Sequence, residues 1–359
     1  MNMGRLANLM GIIKDKVSQS KAAIISKPKT LTLHLSLLRA TTHDPSTPPD
    51  PKRLTTLLSF GHSSRATAAA VIEALMDRLQ TTHDASVAIK SLIAVHHIVK
   101  HGSFILQDQL SVYPSAGGRN YLKLSNFRDN TTPLTWELSS WVRWYALYLE
   151  HLLSTSRVLG FFLSSSSSSV EMDKEEEKVS ALVNIDLLKE VDSLLSLLEQ
   201  MCKTPDCLHV RGNPLVDDIM GLVGEDYLSA INEVSIRVSE FNNRLGCLSL
   251  GDSVELACAL KRLEDCKERL SVLSHRKRVL IEAFWGLITA LKDKVAKERA
   301  YRDERMIVST GRRDKASESA RFGDRLSRRY GDSVRFSSAR FGFNRFPNFL
   351  VLDSIESCA

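Results

Sequence analysis

Three histidines, His96, His97 and His101, lie close together in the apolar segment "IKSLIAVHHIVKHG". His97 and His101 are four residues apart, so on a helix they share a face, and such a pair can hold a metal ion. A zinc hydrolase helix also needs a glutamate between its histidines, and "HIVKH" has none. The histidines therefore read as structural. Cysteines occur at 202, 207, 247, 258, 266 and 358. "CKTPDC" places four residues between Cys202 and Cys207, which matches no zinc pattern and brings no triad partner with it. The cysteines read as reduced thiols of a cytosolic protein. No glycine-rich phosphate loop and no serine elbow is present. The residues point to no catalytic site, cofactor or metal, and the expectation is a protein that is not an enzyme.

Cations offer more. The formal net charge is +6 over 359 residues. In "LLRATTHDPSTPPDPKRLTTLL", Arg39 closes one apolar run and Lys52 and Arg53 open the next. Basic residues on both sides of a proline-rich loop suit an acidic partner, whether a phosphoinositide headgroup, an acidic protein or nucleic acid. A second basic stretch lies near the C-terminus. There Arg312, Arg313, Arg321, Arg325, Arg328, Arg329, Arg335, Arg340 and Arg345 are interleaved with Phe322, Tyr330, Phe336 and Phe341. Such a pattern can hold phosphate and stack bases. Asp314, Glu318, Asp324 and Asp332 dilute it, and no nucleic-acid fold motif accompanies it. Nucleic-acid binding through this tail is the third reading, and no nucleic acid is expected as partner.

Helices must position these residues. Val71, Ile72, Leu75, Met76 and Leu79 recur at helical spacing, as do Leu188, Val191, Leu195 and Leu198, and Val254, Ala257, Leu260 and Leu263. Alternating β-branched patterns are rare, so the fold class is all-α. "STPPDP" breaks one helix before another begins, and "DNTTP" precedes a helix starting near Leu134. Tyr113 to Asn120 reads as a loop, as does the start of "NPLVDD". The serine run from Ser164, followed by "EMDKEEEK", predicts a disordered insert to about Glu177, with helix resuming near Val179. Ser253 to Met306 predicts two long helices or one interrupted helix. Beyond Thr310 the loss of periodicity predicts disorder. The expected organisation is a helical domain over 1–308, with the insert at 164–178, and a basic tail over 309–359. No cleavable leader is read in "MNMGRLANLMGIIKDKVSQSK", and no apolar run of about 18 residues is long enough to span a bilayer.

Several stretches together resemble one family. "GIIKDKVSQSKAAI" is similar to an opening helix of plant-type clathrin assembly proteins with an ANTH domain. "LLRATTHD" resembles that family's signature at Arg39, Ala40, Thr41, Thr42, His43 and Asp44. "SLIAVHHIVKHG" is similar to one of its helix ends. "YLKLSNFRDNTTPLTWELSSWVRWYALYLE" resembles its block through Leu124, Asn126, Phe127, Asp129, Trp141, Val142, Arg143, Tyr145, Tyr148 and Leu149.

The resemblance implies a right-handed superhelical array of about 8–10 helices, of the ENTH/ANTH/VHS-like kind. It implies binding of phosphatidylinositol 4,5-bisphosphate and assembly of clathrin coats in endocytosis. The implied partners are that lipid, clathrin, SNAREs and adaptor complexes. The implied location is cytoplasmic and peripheral, on coated pits of the plasma membrane, coated vesicles and Golgi. The implied phosphoinositide-binding residues are Arg39, Lys52, Arg53 and His43, with His43 either beside the headgroup or bracing the loop. Pro51 and Leu54 depart from the richer basic pattern of the family. Lys14, Lys16, Lys21, Lys27 and Lys29 add nonspecific attraction to an anionic surface. The apolar face of Leu6, Leu9, Ile12, Ile13 and Val17 either inserts shallowly in a membrane or packs on the first helices. "FPNF" (Phe346 to Phe349) is not an NPF motif, and the triplet Asp186, Leu187, Leu188 lies in an apolar repeat that is expected to be buried. A helical scaffold working through protein contacts alone is the second reading.

Overall fold

The computed structural model describes residues 3–26, 28–114, 121–163, 169–207, 210–273 and 277–314. Among them there are twelve α-helices and no strand. They are α1 (Met3–Ile25), α2 (Pro28–Ala40), α3 (Pro51–Ser59), α4 (Arg65–Thr81), α5 (Ala85–His101), α6 (Phe104–Ser111), α7 (Pro133–Leu159), α8 (Ser169–Ala181), α9 (Asn184–Met201), α10 (Pro214–Arg244), α11 (Leu250–Leu270) and α12 (Arg278–Asp314). The count exceeds the 8–10 that the resemblance implied, and it includes two short helices, α3 and α6, of nine and eight residues. The all-α array itself is as expected. Met1–Met306 forms one compact unit, and the chain from Ile307 forms another.

Local chemistry sets the helix starts. Proline stands in the first turn of α3, α7 and α10, where its missing N–H costs nothing. Asp50, Thr132 and Asn213 cap these helices with side-chain oxygens. Thr132 and Thr135 bond reciprocally in a capping box. Gly160 ends α7 at φ 80°, a conformation that disfavours any side chain.

The core is one cluster running from Leu33 to Val295. α5 is buried on nearly every side and packs on α7, α4 and α10. The predicted stripe of α4 is buried throughout, and so is that of α9. In α11 the stripe is shifted: Val254 is 37% exposed, while Leu256 joins Leu260 and Leu263 inside.

A buried polar network crosses the core. Asp226 of α10 accepts from Tyr148 Oη at 2.6 Å and lies 2.7 Å from His96 Nε2. Its other oxygen accepts from Lys100 Nζ at 2.8 Å. His96 Nδ1 lies 2.8 Å from Tyr145 Oη. The side chains of Asp226, His96 and Lys100 have no exposed surface. Burial opposes ionisation of Asp226, but His96 and Lys100 outweigh it and hold the carboxyl below its usual range.

One expectation of disorder needs correction. The insert is helical from Ser169, ten residues earlier than expected; residues 164–168 lie outside the described residues. Tertiary contacts account for this. Val179 is buried, and Arg244 of α10 donates to the carbonyls of Val179, Ser180 and Leu182. Glu175 lies 3.9 Å from the buried Arg237, which also pairs with Glu190 and Glu233. Further on, α12 runs past Thr310 to Asp314. Tail residues 315–359, including Arg321 to Arg345 and the "FPNF" stretch, lie outside the described residues.

Candidate functional site

The Arg39–Arg53 stretch is held from beneath by two cations that its own sequence does not contain. After α2 ends, Thr41 turns inward and is fully buried, its hydroxyl donating to the Leu37 carbonyl at 2.8 Å. Arg78 of α4 donates to Thr41 Oγ1 at 3.1 Å and to the Thr41 carbonyl at 2.9 Å. Lys90 of α5 donates to Thr42 Oγ1 at 2.7 Å. Burial lowers the pKa of Arg78 and pushes Lys90 down to about 8, against the pull of nearby aspartates. Those aspartates are Asp15 and Asp84 for both groups, with Asp44 acting on Lys90 as well.

The loop then braces itself. Asp44 accepts from the Ser46 N–H at 2.9 Å and the Thr47 hydroxyl at 2.8 Å. Asn213, the cap of α10, donates to the Pro45 carbonyl at 3.1 Å. Asp50 caps α3 by accepting from the Lys52 N–H at 2.9 Å.

Arg39 occupies the last turn of α2, and Lys52 and Arg53 the first turn of α3. All three are exposed, and α2 packs against α3. Arg53 lies 3.9 Å from Asp50, a loose and solvated pairing. Leu54 points the other way: it is 6% exposed and belongs to the core with Leu57. His43 braces the loop. Its Nδ1 is 2.6 Å from Asp15 Oδ1, its backbone N–H donates to the same carboxylate, and its side chain is 11% exposed. This contact, with Gly11 lying against His43, seats α1 on the turn.

α1 also brings Lys14, which is half exposed and 3.9 Å from Asp84. Lys16 and Lys21 are exposed, and Lys27 lies outside the described residues. Leu9, Met10, Ile12, Ile13 and Val17 of α1 all present surface to solvent. An anion meeting this face would find the exposed cations of α2 and α3, while the first N–H groups of α3 are taken by Asp50. Sequence reasoning missed Arg78, Lys90 and Asp15. Lys90 was the findable one, a lone charge in the otherwise apolar "ASVAIKSLIAV".

Elsewhere the side chains offer little chemistry. Among the described residues no group of three or more His, Cys, Asp or Glu could hold a metal ion. His97 lies near His101, with tilted rings whose centroids are 5.7 Å apart. Burial and the neighbouring His96 and His101 hold His97 down at about 4. Leu187 and Leu188 are buried, as expected for the Asp186–Leu188 triplet. No helix among the described residues is long and apolar enough to cross a membrane.

Comparison with known proteins agrees with this architecture. Residues 32–221 match the model of the ANTH domain. A putative clathrin assembly protein of Arabidopsis thaliana is 59% identical over 97% of this chain and 98% of its own length. Two further putative clathrin assembly proteins of Arabidopsis thaliana are similar. One is 34% identical over 86% of this chain and 90% of its own length. The other is 35% identical over 81% of this chain and all of its own length. The matched span contains the braced turn and the α5 and α7 residues of the buried network and ends shortly before Asp226, and this chain belongs to the ANTH-domain family.

Proposed function

We propose that the chain is a clathrin assembly protein that docks peripherally on membranes containing phosphatidylinositol 4,5-bisphosphate. The observation that carries this is the exposure of Arg39, Lys52 and Arg53 on adjacent helix ends, above a turn fixed by Arg78, Lys90 and Asn213. A compact polyanion needs several cations held at one place, and a fixed turn spares the cost of ordering them on binding. Each basic residue near an anionic surface contributes about 1 kcal/mol, so three give weak, reversible attachment. His43 serves this site as a brace for the loop. The lipid module is residues 1–308, and the basic tail 309–359 is left for protein partners. Clathrin, SNAREs and adaptor complexes are the partners in this reading, at coated pits, coated vesicles and Golgi.

Sedimentation of the full chain with vesicles tests the lipid site. Pelleting should rise when the bisphosphate lipid is added, and should be lost when Arg39, Lys52 and Arg53 are all changed to Glu. Equal pelleting with and without the lipid, or no loss in the triple variant, refutes the specific site. The second reading is a scaffold acting through protein contacts alone. The burial of Leu187 and Leu188 favours it, because it removes that triplet as a clathrin-binding element. Failure of the full chain to capture the clathrin terminal domain would support the scaffold.

A further inference from the structure

A second surface lies at the far end of the α5–α7 pair. A cavity of about 550 Å³ opens among the end of α5, α6 and the last turns of α7. Its volume is in the range of a small-ligand or peptide-anchor pocket. Leu153 and Val99 line it from the core. Aromatic rings stand at its rim: Phe104 is 83% exposed, and Phe161 and Phe162 are half-buried. Phe104 follows the α6 cap Ser103 and contributes little to the fold in that position. A large ring held this far into water beside a cavity favours a function in contact.

The charges around the cavity are unequal. Lys100 is neutralised by Asp226 and Glu225, and Arg65 pairs with Asp108. Arg157 is exposed, donates to the Ser111 carbonyl at 3.0 Å, and makes no ion pair among the described residues. An apolar cleft thus carries one uncompensated guanidinium, a group suited to bidentate pairing with a carboxylate.

We propose that this cleft binds a short peptide segment of a soluble protein, with an acidic residue close to a bulky apolar one. The apolar side chain packs against Phe104, Leu153 and Phe161, and the carboxylate pairs with Arg157. Position favours a protein partner over lipid. Lys14 reaches Asp84, the cap of α5, and the braced turn contacts Lys90 in its second turn, whereas Val99 and Lys100 border the cleft at its end. Lys90 and Lys100 lie about 15 Å apart along α5, so both places can be occupied at once. Only this argument from position rests on the lipid reading above.

The test pans the full chain against phage-displayed random peptides of about 12 residues, long enough for one anchored segment. Enriched peptides are then titrated by fluorescence anisotropy. They should share an Asp or Glu within a few positions of Phe, Leu, Trp or Met. Affinity should fall at least about tenfold in Arg157→Glu and separately in Phe104→Ser, with unchanged circular dichroism. Changing the peptide's acid to its amide should cost the same factor against the unaltered protein, and little more against Arg157→Glu. That arm leaves the fold untouched and decides the matter if a variant is unstable. Enrichment of no such sequence, or enriched peptides indifferent to both substitutions, overturns the proposal. So does concentration-dependent dimerisation abolished by Phe104→Ser, which would make a second copy the occupant, or loss of vesicle binding in that variant, which would make it lipid. The Arg39, Lys52 and Arg53 triple variant keeps this cleft intact, so failure of one reading is distinguishable from failure of the other.

Discussion

Asp226→Asn isolates the charge at the centre of the molecule. The amide keeps the shape of the carboxylate and removes the counter-ion of Lys100, whose side chain has no exposed surface. Lys100 retains Glu225 at 3.3 Å, but that carboxylate is 53% exposed and its pull is screened. The amide can still accept from Lys100 at one atom, while its NH₂ replaces an acceptor that served both His96 and Tyr148. Removing one partner of a buried ion pair costs about 3–5 kcal/mol. Losing hydrogen bonds to a charged group, at roughly 1.5–3 kcal/mol each, gives a similar figure. That is a large part of a typical stability of about 5–15 kcal/mol. Urea unfolding should show a lower midpoint at unchanged slope, and melting should fall by at least roughly 5 °C. Tyr148→Phe deletes one donor and leaves the charges paired, so it should cost about 1.5–3 kcal/mol. The penalty of Asp226→Asn should also shrink in acid. The carboxyl's folded pKa is depressed, so its stabilisation is present above the usual carboxylate range and is lost as pH falls through the folded value. A loss below about 1 kcal/mol for Asp226→Asn, or one no larger than that of Tyr148→Phe, would show that α5, α7 and α10 are joined by apolar packing alone.

The neutral, half-buried His97 gives a second pH signature. Its folded pKa of about 4 lies below the ordinary value of 6.5, so its contribution is full above about 6.5 and is lost as pH falls towards 4. The loss amounts to at most about 3 kcal/mol, and His97→Phe should flatten the fall of urea midpoints between pH 7 and about 4.5. At the candidate lipid face, Asp50→Asn keeps a competent cap for α3 but removes the carboxylate beside Arg53. Vesicle affinity should rise about fivefold, equivalent to ~1 kcal/mol near an anionic surface, with stability unchanged. Asp50→Ala should raise affinity similarly while lowering stability by about 1 kcal/mol. Co-sedimentation and urea titration separate the two effects.

The elements legible in the sequence were those whose apolar pattern is local. α4 and α9 announce themselves because Val71, Leu75 and Leu79, or Leu187, Leu194 and Leu198, meet the core from a single face. α8 did not, because serine and glutamate carry no helical face of their own. It is held by Arg244 and Arg237, which are more than sixty residues away along the chain. The candidate site divides in the same way. Arg39, Lys52 and Arg53 border a proline-rich loop and lie at its surface. Arg78, Lys90 and Asp15, which fix the turn beneath them, come from three other helices. Yet Lys90 need not have been hidden. Its helical neighbours three and four positions away are Ser86, Val87, Ile93 and Ala94, all of which are buried. A lysine on such a face cannot reach water along its helix, so it must find an oxygen inside, and Thr42 supplies one. Arg39 is flanked by Ser36 on one side and a broken helix on the other, and it has water to go to. The residues three and four positions away therefore distinguish a cation that can meet a ligand from one that fixes the surface on which the ligand would sit.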